Sequence, residues 1–143
     1  MKGYIDAQPK SIQLCHIDAV PDNFLFVTGK DGSEEIKLTD WEYAGMQDPH
    51  LDVAMFIIYA MYDRDSAEKL IDLYFSDGCD KATRLKIYCY IAVSGLVWSN
   101  WCEFKRHCGV EFGAYAQRQY DYAREYTKIF FKEYREAFGR DYV

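Results

Sequence analysis

Two short polar segments near the start of the chain contain the residue types that phosphoryl transfer needs. His16, Ile17 and Asp18 are followed after four residues by Asn23, and Asp40 follows after an interval of hairpin length. A carboxylate can accept the proton of an attacking hydroxyl, and amide and carboxylate oxygens are ligands that suit Mg²⁺. The spacing therefore predicts Asp18 as the proton acceptor and Asn23 and Asp40 as magnesium ligands.

A β-hairpin is expected to bring the two segments together. Residues 24–28 and 36–39 have strand character, and the intervening Asp31-Gly32 pair is a strong turn signal. Asn23 stands just before the first strand and Asp40 just after the second. Antiparallel pairing would place both side chains at the open end of the hairpin, where one cation could contact both.

His16 belongs to the same catalytic loop, where we expect its ring to hydrogen-bond the backbone that shapes the loop rather than to carry the proton. Turns favour His, Asp and Asn in any case, so each residue alone would fit an ordinary loop. The combined spacing arises by chance only about once in a hundred chains of this length. A cysteine protease built on Cys15 and His16 is a weaker reading, because adjacent residues of an extended chain point to opposite faces.

The rest of the chain predicts an α+β fold that is mostly helical, with the small β-hairpin packed on a body of about four helices. The first helix begins at Asp48-Pro49, and its apolar run over residues 53–62 indicates a buried central helix. Further helices are predicted over residues 66–75, 81–107 and 112–138. The last of them should pack through a stripe of apolar residues at helical spacing: Phe112, Ala116, Tyr120, Ala123, Phe130 and Tyr134.

Composition narrows the classes of partner. The formal charge of -6 argues against a nucleic-acid partner and suits a cationic ligand. The longest uncharged run, over residues 53–62, is about half of what a bilayer span requires, so no membrane segment is expected. Five cysteines without a C-x-x-C spacing, and a start that does not resemble a signal peptide, predict free thiols and a cytoplasmic location.

An aromatic pair further along the chain suggests what the ligand could be. Trp98 and Trp101 are three residues apart on a predicted helix and so share a face, with Tyr115 near the start of the next helix. Aromatic faces attract quaternary ammonium groups, which cannot be hydrogen-bonded. Ordinary core packing is the alternative, since Trp pairs at helical spacing are more often part of a core.

The segments LCHIDAVPDNFLF and IKLTDWEYAGMQDPHLDVA resemble the catalytic and metal-binding segments of the choline kinase and aminoglycoside phosphotransferase superfamily, particularly bacterial choline kinases. The resemblance implies a protein-kinase-like fold, Asp18 as catalytic base, and Asn23 and Asp40 as Mg²⁺ ligands. It also implies that Asp52, at the start of the buried helix, braces the catalytic loop. Ile17 replaces the arginine typical of protein kinases, so control by activation-loop phosphorylation is not expected.

The same resemblance extends to the substrate site. GLVWSNW and EFGAYAQ are similar to the segments that carry the choline-binding box, with Trp98, Trp101 and Tyr115 at the matching positions. Glu42 and Tyr43 would lie on the substrate side. The resemblance thus implies ATP as phosphoryl donor and choline, or a related amino alcohol, as the small-molecule acceptor.

We expect this chain to be a single domain over residues 1–143 that corresponds only to the C-terminal lobe of such a kinase. No glycine-rich loop and no strand lysine for anchoring phosphates is recognised, so the N-terminal nucleotide-binding lobe is expected from the full-length protein. The lobe alone should be catalytically incomplete. Two alternatives remain open at this point: an aminoglycoside-type phosphotransferase lobe, and a noncatalytic module that binds choline or a partner.

Overall fold

The computed structural model describes all 143 residues, and helices make up most of the chain. The five helices are α1 (Lys2–Ala7), α2 (His50–Tyr59), α3 (Arg64–Tyr74), α4 (Lys81–His107) and α5 (Ala114–Phe138). The four strands are β1 (Gln13–Cys15), β2 (Phe24–Thr28), β3 (Glu34–Leu38) and β4 (Gly45–Gln47). The predicted α+β class with mostly helical content is confirmed, and α1 is an additional helix that the prediction lacked.

Side-chain caps fix where several helices begin. Asp63 accepts a hydrogen bond from the backbone N–H of Ser66 at 2.9 Å, and Asp80 accepts one from Thr83 at 3.0 Å. These bonds satisfy donors that the first helical turn leaves unpaired. α2 begins at His50, which is within two residues of the start that Asp48-Pro49 predicted. It ends earlier than predicted, because the chain turns into the left-handed region at Met61, with φ 51°.

The long helix α4 is the centre of the body, and α1, α2 and α5 all pack against it. The expectation that α2 would be the central helix was therefore wrong, although Ile57 and Ile58 of α2 are completely buried. α4 and α5 approach closely at Gly95, where an added Cβ would lie 2.7 Å from the backbone oxygen of Gln119. A glycine at this position allows the two helices to touch backbone to backbone.

The buried face of α5 differs from the predicted stripe in its first half. Tyr120 is 46% exposed, and the buried residues are Gln119, Tyr122, Ala123, Tyr126, Phe130 and Tyr134. Gln119 takes the inward position because its amide donates to the carbonyl of Ile58 at 2.9 Å, close to the end of α2. A pattern based on apolar side chains could not anticipate a buried amide that pairs with a helix end.

Two separate two-stranded antiparallel sheets frame the polar loops. β2 pairs with β3 as predicted, with Phe24 opposite Leu38, and the backbone N–H of Thr39 donates to the carbonyl of Asn23 at 3.0 Å. β1 pairs with β4, Leu14 opposite Met46, and was not predicted as a sheet because its two strands are short and far apart in sequence. None of the helices combines the length and apolar character that crossing a bilayer requires.

Candidate active site

The loop that carries Asp18 is held by one carboxylate from α2. Asp52, in the first turn of α2, accepts hydrogen bonds from the backbone N–H groups of His16 and Ile17, each at 2.8 Å. Ile17 has φ 68°, which is costly for a β-branched residue. Such a conformation persists only when its surroundings fix it, and the paired bonds to Asp52 supply that restraint.

The His16 ring connects this loop to the segment of Asp40. The ring is buried, its Nε2 lies 2.7 Å from the carbonyl oxygen of Thr39, and it packs edge-on against Trp41 with ring centroids 4.7 Å apart. Thr39 directly precedes Asp40, so the His16 ring sets the spacing between the Asp18 loop and the Asp40 segment. His16 does not line the cleft described below.

Asn23 and Asp40 lie at the open end of the β2–β3 hairpin. The Asn23 side-chain N–H donates to the carbonyl oxygen of Asp18 at 3.0 Å, which leaves the amide oxygen available as a ligand. Asp40 adopts the left-handed conformation, with φ 63°, and its carboxylate forms neither a hydrogen bond nor an ion pair. Two free hard oxygens fit Mg²⁺, which typically takes few protein ligands and completes its shell with phosphate oxygens and water. No cluster of three or more acidic, His or Cys side chains offers a different metal site.

A cleft of about 930 Å³ opens beside the Asp18 loop. Five residues predicted from the sequence meet there: Asp18, Tyr43, Trp98, Trp101 and Tyr115. The lining also includes Ile17, Val20, Pro21, Asp22, Leu51, Met55, Tyr59, Val93, Ser94, Val97 and Phe112. Twelve of these sixteen residues are hydrophobic, so the cleft is a largely apolar chamber whose lining also contains the carboxylates of Asp18 and Asp22. Glu42 is exposed and lies outside the lining. His16, Asn23, Asp40 and Asp52 also lie outside it.

One side of the cleft is a continuous row of rings, which we call the aromatic wall: Tyr59, Trp98, Trp101, Phe112 and Tyr115. Successive ring centroids are 5.8, 5.4, 5.2 and 6.4 Å apart along this order. Trp101 is 41% exposed, so the row is not simply part of the core. Trp98 is half-buried, packs against the core on one side and faces the cleft on the other.

Sequence reasoning missed two members of the aromatic wall. Phe112 was assigned to the packing stripe of α5, and Tyr59 to the buried run of α2. A signal for Tyr59 was available, because it follows Asp52 by seven residues and so lies on the same face of α2. Burial, and next the neighbouring Asp18, raise the pKa of Tyr59 above its usual range. Burial is also the largest cause that raises the pKa of Tyr115.

Several known proteins are similar to this chain in sequence or in structure. The protein LicA of Haemophilus influenzae is 30% identical over 121 residues, an alignment that covers 76% of this chain and 41% of LicA. A choline/ethanolamine kinase family protein from Mesorhizobium loti has a similar structure, with a TM-score of 0.73 at 26% identity over 89% of this chain and 43% of that one. Choline kinase LicA from Streptococcus pneumoniae gives a TM-score of 0.66 at 27% identity, covering 90% of this chain and 44% of its own.

The chain thus spans less than half the length of these relatives. Its residues 3–88, which include the Asp18 loop, the hairpin and α2, match the phosphotransferase enzyme family known as APH. That range is more than half of the 143 residues. The chain therefore belongs to the APH phosphotransferase family and has the choline-kinase-like fold of its structural neighbours.

Proposed function

We propose that this chain is the catalytic and substrate-binding lobe of a small-molecule kinase that transfers the γ-phosphoryl group of ATP to the hydroxyl of choline. The observation that carries the proposal is that the Asp18 carboxylate and the aromatic wall share one cleft. A bound amino alcohol could thus place its cationic end on the rings and its hydroxyl beside the carboxylate. The choline kinases among its relatives support this choice of substrate.

The character of the cleft favours a quaternary ammonium group. Each aromatic face contributes about 0.5 to 2 kcal/mol to holding a cation, depending on desolvation. Trp101 already has a cation nearby, since the Lys105 ammonium lies 5.6 Å from its ring centroid. Asp18 and Asp22 are the only charged residues in the lining, which suits one positive charge better than the several ammonium groups of an aminoglycoside.

The polar residues then have separate tasks. Asp18 would accept the proton of the substrate hydroxyl as that oxygen bonds to the γ-phosphorus and the bond from this phosphorus to the ADP oxygen breaks, a role that depends mainly on position. Asn23 holds the backbone of Asp18 through its side-chain N–H and, with Asp40, would hold Mg²⁺. Bound there, the ion would neutralise charge on the phosphate oxygens.

Calorimetry of choline binding to this chain tests the proposal. Replacing Trp98 with alanine should weaken binding about tenfold or more, because the rings on both sides of it lose their neighbour and one cation–π face is lost. Phe104→Ala is the matched control: Phe104 is 64% exposed on the same helix and does not line the cleft. The Phe104→Ala variant should bind choline with the same affinity as the unmodified chain.

Ethanolamine provides a second comparison in the same experiment. Its primary ammonium group needs hydrogen-bond acceptors that the aromatic wall does not supply, so it should bind more weakly than choline. Absence of any heat signal from choline at millimolar concentration would contradict the proposed function. Equal weakening by the Trp98 and Phe104 substitutions would contradict the placement of the cation.

A further inference from the structure

Tyr59 occupies a position in the cleft that packing alone does not explain. It is the last residue of α2, and its ring lies 5.8 Å from that of Trp98, within the same chamber as Asp18. Twelve of the sixteen residues that line this cleft are hydrophobic. A phenol hydroxyl placed in such surroundings is costly unless it is hydrogen-bonded, whereas phenylalanine would fill the same space without that cost.

The Trp98 indole supplies an independent observation. Its Nε1–H is buried and has no hydrogen-bond partner. Buried donors in native proteins are nearly always paired, so an orphaned indole N–H requires an acceptor close by. Tyr59, which is the next ring along the aromatic wall, carries an oxygen that can serve as that acceptor.

Two neighbouring groups shift the pKa of Tyr59 in opposite directions. After burial, the neighbouring Asp18 carboxylate is the largest influence that raises the pKa of Tyr59. Trp98 acts in the opposite direction, because an N–H group that faces the phenol oxygen stabilises the phenolate. Both directions agree with the geometry, in which Tyr59 shares the cleft with Asp18 and its ring is the neighbour of the Trp98 ring.

We propose that Tyr59 is a positioning residue of the phosphotransfer site, whose hydroxyl donates a hydrogen bond to the Asp18 carboxylate and accepts one from the Trp98 indole N–H. The inference rests on the proposed function. One oxygen of Asp18 is then held against the aromatic wall, and the other is free to face the substrate hydroxyl. The Tyr59 hydroxyl thereby links Trp98, which binds the cation, to Asp18, which accepts the proton.

The ligand-free protein allows a direct test by NMR. The chain has three tryptophans, so its indole ¹⁵N–¹H region contains three signals, and loss of one in Trp98→Phe assigns the Trp98 signal. Tyr59→Phe should shift that signal, because the ring stays while the acceptor is removed. The signal of Trp41, which donates to the Leu38 carbonyl at 2.9 Å, should stay in place. An unmoved Trp98 signal would overturn the inference.

A matched substitution separates the acceptor effect from a general change in the cleft. Tyr115→Phe removes another phenol oxygen from the aromatic wall, but Trp101 and Phe112 stand between Tyr115 and Trp98 in the row of rings. This variant should leave the Trp98 signal where it is. Equal shifts in the Tyr59 and Tyr115 variants would mean that the indole senses the whole cleft, and the inference would fail.

Ligand discrimination tests the positioning of Asp18 without any need for turnover. Ethyltrimethylammonium has the cationic head of choline but no hydroxyl, so a correctly held Asp18 should favour choline about tenfold. Tyr59→Phe should remove most of this preference while ethyltrimethylammonium still binds as before. If both ligands bind and the preference is unchanged in the variant, the positioning role is wrong and the proposed function stands. If neither ligand binds the unmodified chain, the proposed function fails and the inference fails with it.

Discussion

At the level of single residues, the Asp52 carboxylate determines the shape of the loop on which Asp18 stands. Each of its oxygens accepts one backbone N–H, from His16 and from Ile17, and the second of these residues is in the left-handed region. Hydrogen bonds to a charged acceptor are stronger than neutral ones, and two parallel bonds also fix direction. Asp52 thus keeps a strained backbone in place next to the cleft, although it does not line the cleft itself.

Replacing Asp52 with alanine should therefore destabilise the chain by about 2 to 4 kcal/mol, because two backbone donors lose a charged acceptor. Urea unfolding followed by circular dichroism measures this loss. The control is Asp65→Ala, since Asp65 also lies in the first turn of a helix but accepts no side-chain hydrogen bond. That substitution should change the free energy of unfolding by less than about 0.5 kcal/mol. Similar effects of the two substitutions would contradict the bracing role of Asp52.

At the level of elements, the contact between α4 and α5 sets the separation of Trp98 and Tyr115, which these two helices carry. At Gly95 the helices are so close that an added Cβ would lie 2.7 Å from the Gln119 oxygen and 3.0 Å from the Tyr122 Cβ. The nearest atom is backbone and cannot rotate away. The aromatic wall depends on this close approach, because Trp98 and Trp101 lie on α4 whereas Tyr115 lies on α5.

Gly95→Ala should accordingly destabilise the protein by about 1 to 3 kcal/mol through overpacking, although alanine is the better helix former. It should also weaken choline binding by moving Trp98 and Trp101 of α4 away from Tyr115 of α5. Ser99→Ala, one turn further along α4, is the matched control, because Ser99 bonds only to the Leu96 carbonyl within its own helix. Thermal unfolding and calorimetry measure both effects. A Gly95→Ala variant that is more stable than the parent would show that the helices can separate without cost.

Elements that are determined by residues close together in the chain could be predicted from the sequence. The Asp-Gly turn predicted the hairpin, the Asp48-Pro49 pair predicted the start of α2 to within two residues, and the limits of α4 were reproduced at both Lys81 and His107. Features that depend on distant segments were missed. The pairing of β1 with β4, the close approach at Gly95 and the inward position of Gln119 each depend on a partner that lies more than twenty residues away.

At the level of the whole molecule, a buried polar network ties the N-terminal segment to the helical body. The Lys86 ammonium of α4 bonds to the Asp48 carboxylate at 2.7 Å and to the Pro9 carbonyl at 2.9 Å. His50 lies beside Asp48 and packs against the ring of Phe75, with centroids 5.2 Å apart. Removing one member of a buried ion pair leaves an uncompensated charge, so this network couples the ionisation of its members to folding.

His50 should make the stability of the molecule depend on pH. Burial, and then the charge of Lys86, lower the pKa of His50, and the opposing effect of Asp48 is smaller. The unfolded chain therefore binds a proton near pH 6.5 that the folded chain does not, so stability is fully present above that pH and falls below it. The expected slope is at most about 1.4 kcal/mol per pH unit.

Urea unfolding between pH 7.5 and 5.5 measures this dependence. His50→Phe keeps an aromatic ring in the same position and should remove the decline in unfolding free energy over this range. His107→Gln changes an exposed histidine on α4 and should leave the decline as it is in the parent. Parallel curves for the parent and the His50 variant would exclude His50 as the source of the pH dependence.

Phosphoryl transfer requires groups that hold the phosphates as well as groups that hold the acceptor hydroxyl, and this leads to a prediction for the chain by itself. Its 143 residues hold Asp18, two candidate magnesium ligands and the aromatic wall, but no recognisable glycine-rich loop or strand lysine to hold the β- and γ-phosphates. Because phosphoryl transfer depends mainly on positioning and charge neutralisation, a cleft that holds only the acceptor should bind choline without phosphorylating it. ³¹P NMR of this chain with Mg·ATP and choline should therefore show no phosphocholine. Phosphocholine formation that is lost in Asp18→Asn would contradict this prediction, because it would mean that these residues position both the phosphates and the hydroxyl.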